Sequence, residues 1–132
     1  MKTSSNLIRI CNTLVNLDNC EKITITGVRV FEVKIKFFDK PNELTLRLQK
    51  STSQLSFKLD YILKKLKNFD QFVYLETKLN HELNQKISYT FIHEKAINYI
   101  DKEYYRIFLI NDNVCSYDLT STTNLKEKFY EF

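Results

Sequence analysis

The segment Phe31-Glu32-Val33-Lys34-Ile35-Lys36-Phe37 is followed by Phe38, the tetrapeptide Asp39-Lys40-Pro41-Asn42, Glu43, and then Leu44-Thr45-Leu46-Arg47-Leu48. It decides how the rest of the chain is read. Phe31, Val33, Ile35 and Phe37 share one parity, and Glu32, Lys34 and Lys36 share the other. Because successive strand side chains point to opposite faces, this alternation predicts a strand with one apolar and one charged face. Leu44, Leu46 and Leu48 repeat the pattern against Thr45 and Arg47. Proline suits the second position of the turn between them, so the two runs read as an antiparallel hairpin with a basic outer face.

Upstream, Lys22-Ile23-Thr24-Ile25-Thr26 alternates in the same way, and the phase changes at Gly27, predicting a bend or bulge there. Before it, Leu7, Ile10, Cys11, Leu14 and Leu17 recur at helical spacing behind Ser4-Ser5-Asn6, a capping sequence. A first helix is therefore expected at about 5–17. Residues 51–69 allow two readings. In one, Ser51 and Gln54 open a long helix with Leu55, Leu59, Ile62, Leu63 and Leu66 on one stripe, leaving Phe57 and Tyr61 on the polar side. In the preferred one, 54–59 is a strand with Leu55, Phe57 and Leu59 inward, and Asp60 caps a short basic helix at 61–68.

Val73, Leu75 and Leu79, then Ile87, Tyr89 and Phe91, predict two further strands joined by a polar loop at 80–85. A helix over 70–84, through Phe72, Leu75, Leu79 and Leu83, is the alternative. Residues 94–102 fit a strand or a short helix. The runs 105–110 and 114–119 flank Asn111-Asp112-Asn113, a hairpin signal, and a last helix is expected at about 123–131. The expectation is one α+β domain over 1–132, mainly antiparallel sheet with an N-terminal, a short central and a short C-terminal helix.

Composition bounds the chemistry. Of 132 residues 43% are hydrophobic, ample for a core without staples. Cys11, Cys20 and Cys115 are odd in number and share no CxxC spacing, which argues against a disulfide framework. With no long apolar run and no secretory leader at Met1–Ser5, an intracellular protein, cytoplasmic or nuclear and without a membrane role, is expected. The chain has one glycine, Gly27. Phosphate-cradling loops and dinucleotide fingerprints require several, so P-loop, Rossmann and kinase-loop chemistry are excluded by counting. Neither His81-Glu82 nor His93-Glu94 forms an HExxH pair. A metal site from His81, His93 and Cys115, or a Cys115–histidine nucleophile pair, would need convergence in space. No catalytic set, metal set or cofactor is read from the residues, and the expected class is non-enzymatic.

The net charge of +4 comes from 16 Lys and 4 Arg against 16 acids. Lysine meets phosphate as a point charge, whereas base-edge reading favours arginine, so any nucleic-acid binding is expected to ignore sequence. The candidate phosphate contacts are Lys34, Lys36 and Arg47 on the hairpin's outer face, together with Lys58, Lys64, Lys65 and Lys67. A solvated basic face accounts for the same charges.

The order of elements, Met1-Lys2 ahead of the helix at 6–17, Ile25-Thr26-Gly27-Val28, and the segment from Leu55-Ser56-Phe57-Lys58 to Lys64-Lys65-Leu66 resemble one domain of a DNA-polymerase sliding clamp, over residues 1–119. Clamp chains carry two or three such domains and a strand before the first helix, which this sequence lacks. The resemblance implies a binding or scaffolding subunit that self-associates or serves as an accessory factor. It also implies that Lys64, Lys65 and Lys67 face DNA. The rival is a protein-interaction module, such as a viral or phage accessory factor, with a protein partner and no nucleic-acid role.

Overall fold

The computed structural model describes residues 6–28, 30–48, 54–81, 84–117 and 121–129. Among them are eleven strands and two helices, and every strand pairing is antiparallel. The protein is thus mainly an antiparallel β structure, which corrects the α+β expectation with three helices.

The hairpin that anchors the sequence reading is present. Strand β4 (Phe31–Phe37) pairs with β5 (Leu44–Leu48) so that Phe31 opposes Leu48, Val33 opposes Leu46 and Ile35 opposes Leu44. β4 also pairs with β3 (Cys20–Gly27), whose other edge takes β7 (Asn84–His93). β7 pairs in turn with β6 (Phe72–His81), and β6 with the short β11 (Thr122–Thr123), completing a six-stranded sheet. The bend expected at Gly27 is where β3 turns into β4. A Cβ there would lie 2.2 Å from the Val30 carbonyl oxygen, so only glycine fits the close approach.

One face of this sheet is covered by helix α1 (Gln54–Lys67) and by the hairpin of β1 (Leu7–Ile10) and β2 (Thr13–Asn16). α1 overturns the preferred strand at 54–59. One continuous helix places Ile62, Leu63 and Leu66 on a stripe that buries against Ile23, Val33 and Phe91, and Asp60 lies within it rather than capping it. The N-terminal helix is overturned as well. Residues 7–16 form the hairpin, with Cys11 at φ 56° in its two-residue turn, a left-handed conformation uncommon outside glycine. The helical spacing of Leu7, Ile10, Cys11, Leu14 and Leu17 is a coincidence. Ile8, Ile10, Val15 and Leu17 are the buried set, while Leu14 is 68% exposed. β-branched Ile8, Ile10 and Val15 favour the strand form once a sheet offers them a surface.

Among the described residues, the opposite face is covered mainly under β6 and β7. There β8 (Ile97–Asp101), β9 (Arg106–Leu109) and β10 (Val114–Ser116) form a second sheet, with helix α2 (Leu125–Lys128) alongside. Val73, Leu75, Ile92, Ala96, Ile107, Leu109 and Leu125 make this second core. Residues 94–102 resolve as a 3-10 turn over Glu94–Ala96 followed by β8, and the helical alternative for 70–84 gives way to β6. The C-terminal helix is shorter than expected, because Thr122–Thr123 extends the sheet and Asn124 docks on its edge. The Asn124 amide donates to the Phe72 carbonyl, and its oxygen accepts from the Tyr74 N–H. Ser4, Ser5 and Ser51, Leu83, Asp118, Leu119, residues 130–131 and the side chains of Leu55, Phe57, Leu79 and His81 lie outside what the structure describes.

The hairpin assignment has a direct check. Ile8→Ala is expected to cost about 2–4 kcal/mol in urea unfolding, as a large-to-small change in a packed core, and Leu14→Ala within about 0.5 kcal/mol of zero. A helix at 5–17 would require Leu14→Ala to be the costly one.

Candidate functional site

The seven sequence-predicted cations do not meet on one surface. Lys34 and Arg47 lie on the sheet face opposite α1, where both approach Glu32, at 3.5 Å and 3.7 Å. Lys36 is turned into the β4–β5 connection, where its ammonium donates to the carbonyls of Phe37 and Lys40. Lys67 sits 3.6 Å from Glu76 and over the rings of Tyr74 and Tyr89, so it belongs to the flank of α1 that meets β6. The depression there also takes in Asp60 and Lys64 and is of mixed charge.

The other flank of α1 is different. Helical periodicity aligns Lys58, Tyr61 and Lys65 at i, i+3 and i+7 along the side facing the β1–β2 hairpin. Between them and the hairpin runs a groove of about 610 Å³. Its cations are Arg9 and Lys58, its floor is Leu48 and Ile62, Arg47 borders it with the carbonyl that meets the Cys11 thiol, and Cys11 and Asn12 close the end at the hairpin turn. No carboxylate lines it among the described residues. Arg9 and Lys58 are exposed and have no ion pair among the described residues, which sets them apart from Lys34, Arg47 and Lys67. The Cys11 thiol contacts the Arg47 carbonyl at 3.4 Å, tying the hairpin turn to the β5 edge and setting the groove's width at that end.

Tyr61 is a groove residue that the preferred sequence reading leaves unassigned. It is 49% exposed, and its ring stands in the groove lining with the Lys65 ammonium 5.9 Å from its centroid. The helical alternative for 51–69 had put it on the polar side, which is where it is found. Arg9 was missed because a helical reading of 5–17 hides the alternation that turns it out of the core.

Among the described side chains, His93 and Cys115 do not come together. His93 is buried among Phe38, Phe69 and Phe72, with ring centroids 5.4–5.9 Å away. Its Nδ1 accepts from the Lys95 N–H at 3.1 Å, so the proton is assigned to Nε2, which has no hydrogen-bond partner among the described residues. Cys115 packs into the second core, on the other side of the sheet. Burial raises its thiol pKa, and burial pushes that of Cys20 up to about 12, so neither is poised as a thiolate. No group of three His, Cys, Asp or Glu suited to a metal occurs among the described residues. Nor is any helix there long and apolar enough to cross a membrane. No family model, curated protein or solved structure matches the chain.

His93 carries a pH consequence. Burial first, then the charge of Lys95, holds its imidazole below the ordinary 6.5, against the weaker pull of Asp18 and Glu94. A depressed folded pKa means that the unfolded chain binds the proton more readily. This contribution to stability is therefore complete well above pH 6.5 and is lost as pH falls through 6.5 toward the folded value. Thermal melts between about pH 8 and about pH 5 are expected to show a loss of Tm that is smaller in His93→Phe; equal slopes in the two proteins would remove the assignment.

Proposed function

We propose that this protein is a non-enzymatic binding subunit that engages the phosphate backbone of nucleic acid without regard to sequence, through the groove between α1 and the β1–β2 hairpin. The observation that carries this reading is the convergence of Arg9 and Lys58 on one groove whose lining holds no carboxylate among the described residues. Lys65, farther along the same flank, extends the cationic surface of α1. The reading does not lean on the clamp resemblance, since the helix at 6–17 and the strand at 54–59 that entered it are built otherwise.

Three or so phosphate contacts give a shallow but measurable salt dependence. Affinity for a labelled DNA oligonucleotide is expected to fall roughly 20-fold between about 50 mM and about 200 mM salt. The pair Arg9→Glu and Lys58→Glu is expected to abolish binding, while Lys34→Glu on the far face leaves most of it. Absence of binding at low salt, or indifference to the groove pair, would sink the proposal.

One observation favours a protein partner instead. On the outer face of the second sheet, Val114, Phe108 and Tyr99 stand opposite one another across three strands, with Tyr99 stacked on Phe108 at 4.4 Å. Tyr99 is 54% exposed. Exposed aromatic rows of this kind are enriched at interfaces. If the row serves self-association, sedimentation should show a concentration-dependent dimer that Tyr99→Glu disperses; a monomer at every concentration excludes it.

A further inference from the structure

Resting on the groove reading above, we infer that the groove selects single-stranded over duplex nucleic acid, with one unpaired base stacked on the ring of Tyr61. The helix places this ring between two cations, Lys58 three residues before it and Lys65 four residues after it. At 1.5 Å per residue these two lie about 10 Å apart along the axis, so a strand running beside α1 meets a cation, a ring face and a second cation in turn. Arg9 supplies a further charge from the hairpin side.

The chemistry of that sequence of groups is specific. A phosphate needs only a mobile point charge, which lysine provides, and any base offers a π-face to a tyrosine ring regardless of identity. In a duplex the base faces are already stacked on one another and only edges and phosphates are presented, so a ring recessed in a groove gains nothing from it. The half-exposed state of Tyr61 fits this role. The residue lines the groove beside Ile62, with the Lys65 ammonium over its ring at 5.9 Å, and the flexible lysine stem can swing aside for a base. A tyrosine exposed on a helix is ordinary by itself. Here the ring lies in the lining of a groove that has cations and no carboxylate among the described residues. Base-edge discrimination is not expected, because the Arg47 side chain is turned to the opposite sheet face, where it is engaged with Glu32, and Arg9 is the arginine left to the groove.

The test is fluorescence anisotropy of the full chain with a labelled oligo-dT, and with a hairpin duplex carrying the same number of phosphates. Oligo-dT is expected to bind more tightly than the duplex. Tyr61→Ala is expected to weaken oligo-dT binding by about 5- to 100-fold while leaving the salt slope unchanged, since no phosphate contact is removed. Tyr61→Phe should keep near-native affinity. Tyr61→Leu, which keeps apolar bulk without a π-face, should behave as Tyr61→Ala and guards against a folding defect in the latter. Equal affinity for the two probes, or native affinity in Tyr61→Leu, overturns the stacking role and leaves the groove's phosphate contact standing. Binding of neither probe to the native chain overturns both.

Discussion

Ile23 and Ile25 of β3 are fully buried, and β3 is hydrogen-bonded to β4 on one side and β7 on the other. Everything on the helical side of the sheet follows from the need to cover the surface they belong to. Val33, Ile35 and Phe31 from β4, Leu48 from β5 and Phe91 from β7 extend that surface well beyond the footprint of one helix. Burying a large aliphatic or aromatic side chain contributes about 1.5–3 kcal/mol, so leaving even two or three of these wet would consume much of a domain's net stability. Helix α1 covers part, with Ile62, Leu63 and Leu66, and the β1–β2 hairpin covers the rest with Ile8, Ile10 and Val15. Two lids on one surface meet at a seam. Each keeps its apolar side down and its polar side up, so the polar shoulders of both face each other there. The groove is that seam.

The other face of the sheet obeys a different balance. Under β6 and β7 it is apolar and packed, which is why neighbours such as Phe72 and Val73 are both buried, one toward each core. The second sheet is held there partly by a polar lock, in which Asn111 at the β9–β10 turn donates to the carboxylate of Glu21 at 2.8 Å. Under β4 and β5 the same face remains solvated, and Lys34 and Arg47 flank Glu32. Exposed pairs of this kind contribute little to stability, but they do spend the positive charge that a polyanion would otherwise meet.

Strands with strict alternation were legible in the sequence, because a period of two needs only local information. The β4–β5 pair, β3, β6, β7 and the 105–116 hairpin fall in this group, as does the bend at Gly27. What failed was short apolar segments whose residues satisfy two periods at once. In 7–17, Leu7, Ile10 and Leu14 fit a helix while Ile8, Ile10 and Val15, Leu17 fit a hairpin; the choice is made by the sheet surface waiting to be covered, a tertiary fact. In 54–59 the chance to turn Leu55, Phe57 and Leu59 inward together points to a strand, yet one continuous helix buries Ile62, Leu63 and Leu66 and leaves Tyr61 half-exposed at the seam. The candidate site was legible to the same degree. Lys65 is legible from the basic helix and Lys58 from the charge pattern, although the preferred reading puts Lys58 in a strand. Arg9 arrives from a strand 49 residues earlier than Lys58 in the chain, and only the docking of the hairpin brings it there.

The scarcity of glycine bears on how such a groove can hold a phosphate. Backbone cradles need consecutive N–H groups free of ladder bonds and a chain able to take strained dihedrals. In this molecule the backbone is committed to strand ladders on both sides of β3, β4, β6 and β7. Its one glycine is held where β3 turns into β4, against the Val30 carbonyl. Among the described strands this leaves little main chain for anion recognition, and side chains long enough to reach from outward positions take its place. Lysine and arginine at a seam answer that requirement, and they bring flexible, sequence-blind contacts rather than a fixed cradle. Selectivity in such a site has to come from something other than charge, and within this groove the group with a shape to offer is the ring of Tyr61.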